Sequence, residues 1–291
     1  MPSTRDIRRR IKSVKNTAQI TKAMQMVAAA KMRKAQQAAL VGRPYAQLLN
    51  EILAEAATRT VGFDHPLLQS RPVAKRAVIL VGTDRGLCGA LNGNLFREVS
   101  KLDKNATVFI TAGKKAAQFV SRTKRTLTAE FHYKDNPEFA EARAISKFAQ
   151  QMFLKGEVDA VDILFPRFIN TLTQQPQTLP FLPIGKISAA TAGINAPAQE
   201  LAGSTTDVFD FEPDEETVLG ELLPHSLNFQ MHQILLETKA SEQSARMVAM
   251  KNATDNAKQI IKDLTLEYNK LRQANITKEL LEITTAQMAV G

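Results

Sequence analysis

One cysteine, no tryptophan and 6% aromatic residues are thin material for a single large globular core in a chain of 291 residues. The lone Cys88 excludes an internal disulfide and fits a reducing compartment. No run of about 18 uncharged apolar residues occurs, so no membrane-spanning helix is expected. The opening segment sets Arg5, Arg8, Arg9, Arg10 and Lys12 around Ile7 and Ile11 with no apolar stretch behind them, and is expected to be neither a secretory signal nor a transit peptide. His65, His132, His225 and His232 form no His-x-x-x-His or His-Glu-x-x-His pattern, and Cys88 has no Cys-x-x-Cys mate, so no metal site is expected. Between Pro224 and Gly291 there is neither proline nor glycine, which leaves nothing to break a helix there.

What the chain does have is a stripe. Ile7, Ile11, Val14, Ala18, Thr21, Gln25, Ala28, Met32, Ala35, Ala39, Gly42, Ala46, Leu49, Leu53 and Ala56 alternate four and three apart. A repeat of 3.5 residues stays on one side only of a helix that supercoils around a partner. Leu222, Phe229, Leu236, Ala240, Met247, Met250, Ala257, Ile261, Leu264, Tyr268 and Leu271 keep the same rhythm at the other end of the chain, so the two terminal helices are expected to pair antiparallel as a rod. The first is expected to start at Ser3 or Thr4 and run about 57 residues to Gly62, roughly 85 Å, with Pro44 bending it or ending its straight part. The second is expected to begin near Asp214, behind Pro213, with a further bend at Pro224. Being about 20 residues longer, it should project some 30 Å past its mate from Arg272 onward. A lone helix of that length is marginal in water, so a sleeve of other chains is expected around it.

Between the helices, residues 75–190 read as an α/β domain, with strands at Val78–Val81, Thr107–Ile110 and Val161–Phe165 and a helix carrying Phe139, Ala142, Ile145, Phe148, Ala149 and Met152. Thr171–Thr173 and Leu179–Ile184 read as extended edge segments, and Ser188–Ser204 as a loose connector. Gly82-Thr83-Asp84-Arg85-Gly86-Leu87-Cys88-Gly89 stands where phosphate loops stand, after a strand and before a helix. It matches neither Gly-x-Gly-x-x-Gly nor the Walker pattern, so the glycines are read as turn formers, and Asn92 is able to bind either the turn backbone or a partner. Ser241, Glu242 and Ser244 lie inside a helix with no base at hand, and no catalytic triad is asserted. The net charge of +9 is uneven: Lys12, Lys15, Lys22, Lys31, Arg33 and Lys34 are basic, while Asp207, Asp210, Glu212, Asp214, Glu215, Glu216 and Glu221 form an acidic block.

Three passages carry a family resemblance: Ile20 to Ala35 (ITKAMQMVAAAKMRKA), Thr83 to Asn92 (TDRGLCGALN) and Ala240 to Ala257 (ASEQSARMVAMKNATDNA). In these, and in its whole layout, the chain resembles the gamma subunit of F-type ATP synthases. The resemblance implies a long antiparallel coiled coil of the N-terminal (1–60) and C-terminal (214–291) helices, a central Rossmann-like α/β domain (75–190) and a connector with an acidic foot (191–213). It implies a non-catalytic rotor shaft without cofactor or metal, one copy per complex. Its partners would be the alpha and beta subunits, the epsilon subunit and the c-ring, with no nucleic acid. The location implied is peripheral, on the cytoplasmic side of a bacterial inner membrane. Met24, Lys31, Arg33 and Arg246, with Arg272, Gln273, Thr277 and Glu279 at the tip, are the implied rotor–stator contacts; Asp84, Arg85, Glu212 and Asp214 are the implied contacts of the foot. The family's C-terminal signature is met at Ile276, Thr277, Glu279 and Glu282, but Ala286-Gln287 stands where Gly-Ala is expected. The residues taken alone also fit a coiled-coil adaptor with an unrelated partner.

Overall fold

Helices at both ends of the chain run further than any other element: α1 is Thr4–Val41, and the last helix spans Glu215–Val290. The computed structural model describes residues 3–59, 65–184, 212 and 214–290. Two units are distinguished, Met1–Ala29 with Arg246–Gly291, and Ala30–Ala245. The expected connector, including Asp207 and Asp210, lies outside the described residues apart from Glu212 and Asp214.

The element order after α1 is α2 (Arg43–Arg59), β1 (Arg76–Val81), α3 (Leu91–Lys101), β2 (Thr107–Ala112), α4 (Lys114–Arg122), β3 (Thr126–Phe131), α5 (Phe139–Leu154), β4 (Ala160–Phe168), β5 (Gln174–Leu182) and α6 (Glu215–Val290), and the second unit holds all of these up to Ala245. The strands form one sheet in the order β3-β2-β1-β4-β5, parallel except for β5. The layout is that of an open α/β sheet whose strand order reverses at β1 and β4. β1 reads as an unbroken apolar run because both of its faces are covered. Ala77, Ile79 and Val81 share a core with α5, with Leu49 and Leu53 of α2 and with Leu219 to Leu235 of α6. Val78 and Leu80 meet Leu95 and Val99 of α3 and Ala116 and Val120 of α4 on the other side.

Every position of the N-terminal 4-3 stripe is buried or half-buried, and so is every position of the C-terminal one. The expected single N-terminal helix is in fact two. α1 stops at Val41, Gly42 forms a turn, and Pro44 sits in the first turn of α2, where a proline without an N–H is tolerated. Gly42 also lies close against α6: a Cβ there would come within 2.1 Å of Nε2 of Gln233, a side-chain end that would have to move aside. Next to it Tyr45 packs on Phe229 with ring centroids 4.8 Å apart and bonds His225 Nε2 at 2.7 Å, so within this unit the partner number falls as the N-terminal number rises, as antiparallel helices require.

Pro224 does not end α6, which is one uninterrupted helix. The residue four positions back, against whose carbonyl the ring would press, is Gly220, the type whose backbone yields most readily. The helix starts where expected: Asp214 Oδ1 accepts the Thr217 backbone N–H at 2.8 Å, and this bond is the main cause of the lowered Asp214 pKa. At the other end of the chain the cap is Ser3, whose Oγ accepts the Arg5 N–H at 3.1 Å. Two strand expectations need correction. Thr171–Thr173 is a turn in which Asn170 Oδ1 accepts the N–H groups of Leu172 and Thr173, and β5 begins only at Gln174. β3 was not foreseen, since its Thr-Leu-Thr-Ala-Glu-Phe lies on the sheet edge with every second residue exposed.

In the first unit α1 and α6 are joined by a buried hydrogen bond, Thr21 Oγ1 to Thr254 Oγ1 at 2.7 Å, with Ile7, Ala28, Met250 and Ala257 buried. From Arg272 to Thr285 every residue of α6 is exposed, so the helix outruns its mate at the expected position.

Candidate interaction sites

The loop after β1 turns its polar groups inward. Asn92 Nδ2 donates to Thr83 Oγ1 at 2.7 Å and to Cys88 Sγ at 3.4 Å, while Thr83 Oγ1 donates to the Arg85 carbonyl at 2.9 Å. Asn92 thus binds the turn, through its side chains. The N-terminus of α4, a place that favours anions, is already occupied: Lys114 N–H donates to Asp84 Oδ1 at 3.0 Å and Lys115 N–H to the Thr83 carbonyl at 2.9 Å. Gly113 precedes that helix at φ +104°, and a Cβ on it would come within 2.5 Å of the Gly82 carbonyl oxygen.

Beside this loop lies a charge cluster centred on Lys239 of α6, which is 1% exposed. Its Nζ stands 3.2 Å from Glu242 Oε2, 3.8 Å from Asp135 Oδ1 and 4.0 Å from Asp84 Oδ2, and 4.5 Å from the centre of the Tyr133 ring. Asp135 also pairs with Lys31 of α1 at 2.5 Å. That hydrogen bond is the main reason the Asp135 carboxyl is held below the usual range, with the charges of Lys239 and Arg85 adding to it against partial burial. Burial first, and then the charges of Glu242, Asp84, Asp135 and Glu141, push the Tyr133 phenol well above its ordinary value, so its hydroxyl stays protonated and donates to the Gly82 carbonyl at 2.8 Å.

Of the residues singled out from the sequence, Asp84 and Lys31 both belong to this cluster, Asp84 facing Lys239 and Lys31 pairing with Asp135. Arg85 is exposed at the neighbouring loop position. Arg33 is exposed on α1, Met24 is half-buried, and Arg246 is 8% exposed. Thr21 opposite Thr254 sets Met24 level with Lys251, so Met24 and Arg246 stand about five residues, roughly 7.5 Å, apart along the pair. Arg272, Gln273, Thr277 and Glu279 are all exposed, with the Thr277 hydroxyl bonded to the Gln273 carbonyl at 3.0 Å. Glu212 is exposed and Asp214 caps α6.

Lys239, Glu242, Tyr133 and Asp135 were not found from the sequence. The available signal was a Lys and a Glu three apart, flanked by the small residues Ala240, Ser241 and Ser244 in a stretch that is buried on all sides. Among the described residues no group of three or more His, Cys, Asp and Glu is placed to hold a metal ion, and no helix is long and apolar enough to cross a membrane.

A family model described as ATP synthase matches residues 3–290. The chain is 49% identical over 297 aligned residues to the ATP synthase gamma chain of Opitutus terrae, and 47% identical over 296 to that of Methylacidiphilum infernorum, each alignment covering 100% of both chains. Among solved structures it is similar, at TM-score 0.70 and 20% identity, to a chain of the Euglena gracilis mitochondrial ATP synthase (OSCP/F1/c-ring, rotational state 3), covering 99% of this chain and 94% of that one. A chain of the Tetrahymena thermophila mitochondrial ATP synthase central stalk and c-ring matches at TM-score 0.59 and 24% identity, covering 80% of this chain and 99% of that one. At such identities the structural likeness speaks for the fold.

Proposed function

Because the chain belongs to the ATP synthase gamma chain family, we propose that it is the central rotor shaft of a proton-translocating F-type ATP synthase, present once per complex. It is a non-catalytic subunit. The helical pair stands inside a hexamer of alternating alpha and beta subunits, and the α/β domain and foot bind epsilon and the membrane c-ring. Rotation presents a different face of the asymmetric shaft to each of the three catalytic sites in turn and changes their conformations. None of its own side chains touches the reacting phosphates. The complex lies on a bacterial inner membrane with the shaft on the cytoplasmic side, peripheral through the c-ring.

The observation that carries this reading is the exposed end of α6. Ile276, Leu280 and Ile283 recur four and three apart on a helix segment with no mate among the described residues, which is the pattern of a helix that another protein encloses. Around them Arg272 offers donors, Glu279 accepts charge-assisted bonds, and Gln273 and Thr277 adapt to alternating partners, so these four form a catch with loops of the beta subunits. Exposed Arg33, with Met24, Lys31 and Arg246, adds the lower rotor–stator contacts. Arg85, Glu212 and Asp214 serve the foot, with Asp84 acting behind Arg85.

Ending the chain after Leu271 tests the reading. The α/β domain and the paired helices are expected to stay folded, while ATP-driven torque or the stability of the assembled hexamer falls. A truncated chain that assembles, hydrolyses ATP and develops torque like the full one removes the catch from this account. A stable homodimer that recruits no hexamer supports the adaptor alternative.

A further inference from the structure

Lys239 is an ammonium ion 1% exposed in the middle of a helix, a burial that charges tolerate only among paired anions. Its three carboxylates arrive from separate places: Asp84 from the loop after β1, Asp135 from the loop after β3, and Glu242 from the next turn of α6. Tyr133, whose ring faces the ammonium, is itself fixed by its hydrogen bond to the Gly82 carbonyl at the end of β1. Asp135 carries the connection on to Lys31, so α1 enters the same lattice. Lys31 and Lys239 thus stand among Asp84, Asp135 and Glu242, with the charge of Arg85 also felt at Asp135.

The lattice sits at the carboxyl edge of the sheet, the place where open α/β folds admit a ligand, and here a side chain of α6 fills it. Apolar packing alone lets helices shift or rotate slightly at small cost. Attraction between one buried cation and carboxylates on two separate loops, at 3.8 and 4.0 Å, with the Tyr133 ring against it, favours one register, as buried polar groups do in coiled coils. We propose that Lys239 is a positioning residue for torque transfer: seated among Asp84, Asp135, Glu242 and Tyr133, it fixes the rotational register of α6, and through Lys31 of α1, on the α/β domain. The functional part of this proposal rests on the rotor reading; the register is a property of the chain itself.

The test uses the full chain assembled with its alpha, beta, epsilon and membrane subunits in vesicles, measuring ATP hydrolysis and ATP-driven proton uptake together. Lys239→Met leaves the carboxylates facing an apolar chain. It is expected to hydrolyse ATP at the wild-type rate but to pump about fivefold or more fewer protons per ATP, and Lys239→Arg, which keeps the charge, to recover much of the loss. Unchanged protons per ATP in Lys239→Met, or an Arg variant no better than Met, would overturn the proposal. If Lys239→Met does not assemble, Asp135→Asn serves instead, because that side chain is 52% exposed and its loss is compatible with folding. It is expected to assemble with a smaller loss of coupling, and full coupling there would likewise overturn the proposal.

A wild-type chain that drives no pumping with a hexamer counts against the rotor reading alone. The register is then judged on the free chain by amide exchange over residues 231–245, expected to speed up about tenfold in Lys239→Met and not in Lys239→Arg. Equal protection in the two variants would sink it.

Discussion

Lys239 and Leu280 lie on the same helix, yet the lysine is 1% exposed and the leucine 59% exposed. Between Leu219 and Ala245, α6 packs against its own chain: Leu223, Met231, Ile234 and Leu235 enter the sheet core, and Thr238, Ser241, Glu242 and Ser244 are buried beside them. Between Arg272 and Thr285 no residue is covered. Hydrophobicity does not separate the two stretches, since both mix Leu, Ile, Glu and Lys. What separates them is who supplies the surroundings. The first stretch is folded by the chain, and the second is left for partners to cover.

The sharpest way to break this comparison is a pair of truncations of equal chemistry. Leu235→Ala is expected to cost about 2–5 kcal/mol of stability in the free chain, as core leucines do, whereas Leu280→Ala should stay within about 0.5 kcal/mol. Denaturant unfolding of both variants checks it, and equal costs would mean that the tip is packed in the free chain. Gly113→Ala is next in size. It forces a side chain into φ +104° and against the Gly82 carbonyl, so a loss of about 1–3 kcal/mol is expected in the second unit, read by the same unfolding experiment.

The Thr21–Thr254 hydrogen bond offers a smaller and more local measurement. Each hydroxyl has a backbone carbonyl within reach, Ala18 for Thr21 and Met250 for Thr254, and the one left after a single Thr→Val change can donate there, so the single changes should be mild. A double-mutant cycle is expected to return a coupling of about 1 kcal/mol, and additivity would show that the two helices are not registered there.

How much of this was legible beforehand differs between the two stretches for a physical reason. The helical seam could be read because a 3.5-residue repeat has one structural solution, and the overhang followed from unequal helix lengths. β1, β2 and β4 stood out as apolar runs because they are buried on both faces. β3 did not, being a polar edge strand, and β5 was partly hidden by Pro176 and Pro180, which edge strands tolerate. Of the Lys239 cluster only the Lys-Glu spacing among small residues was legible. A lysine in a helix looks like a solvated residue until the loops that end β1 and β3 are placed against it. For the same reason nothing in the sequence signals that Asp84 faces Lys239 or that Lys31 pairs with Asp135.

The smallest effect concerns the start of α6. Its folded-state pKa being lowered, Asp214 contributes stability that is present above the unfolded carboxylate value of about 4 and is lost as the pH falls through the folded one. Amide exchange at residues 215–218 should therefore rise on acidification more in the wild type than in Asp214→Asn, whose cap does not titrate. An identical pH response would assign the fraying to other groups.

The central claim is that partners cover what the chain leaves bare, and it is tested most directly by amide exchange over residues 272–285 in the free chain and in the assembled complex with alpha and beta subunits. Fast exchange in the free chain and strong protection in the complex are expected, with residues 231–245 protected in both. Equal exchange of the tip in the two states would contradict the account, because the exposed end of α6 would then have no enclosing partner.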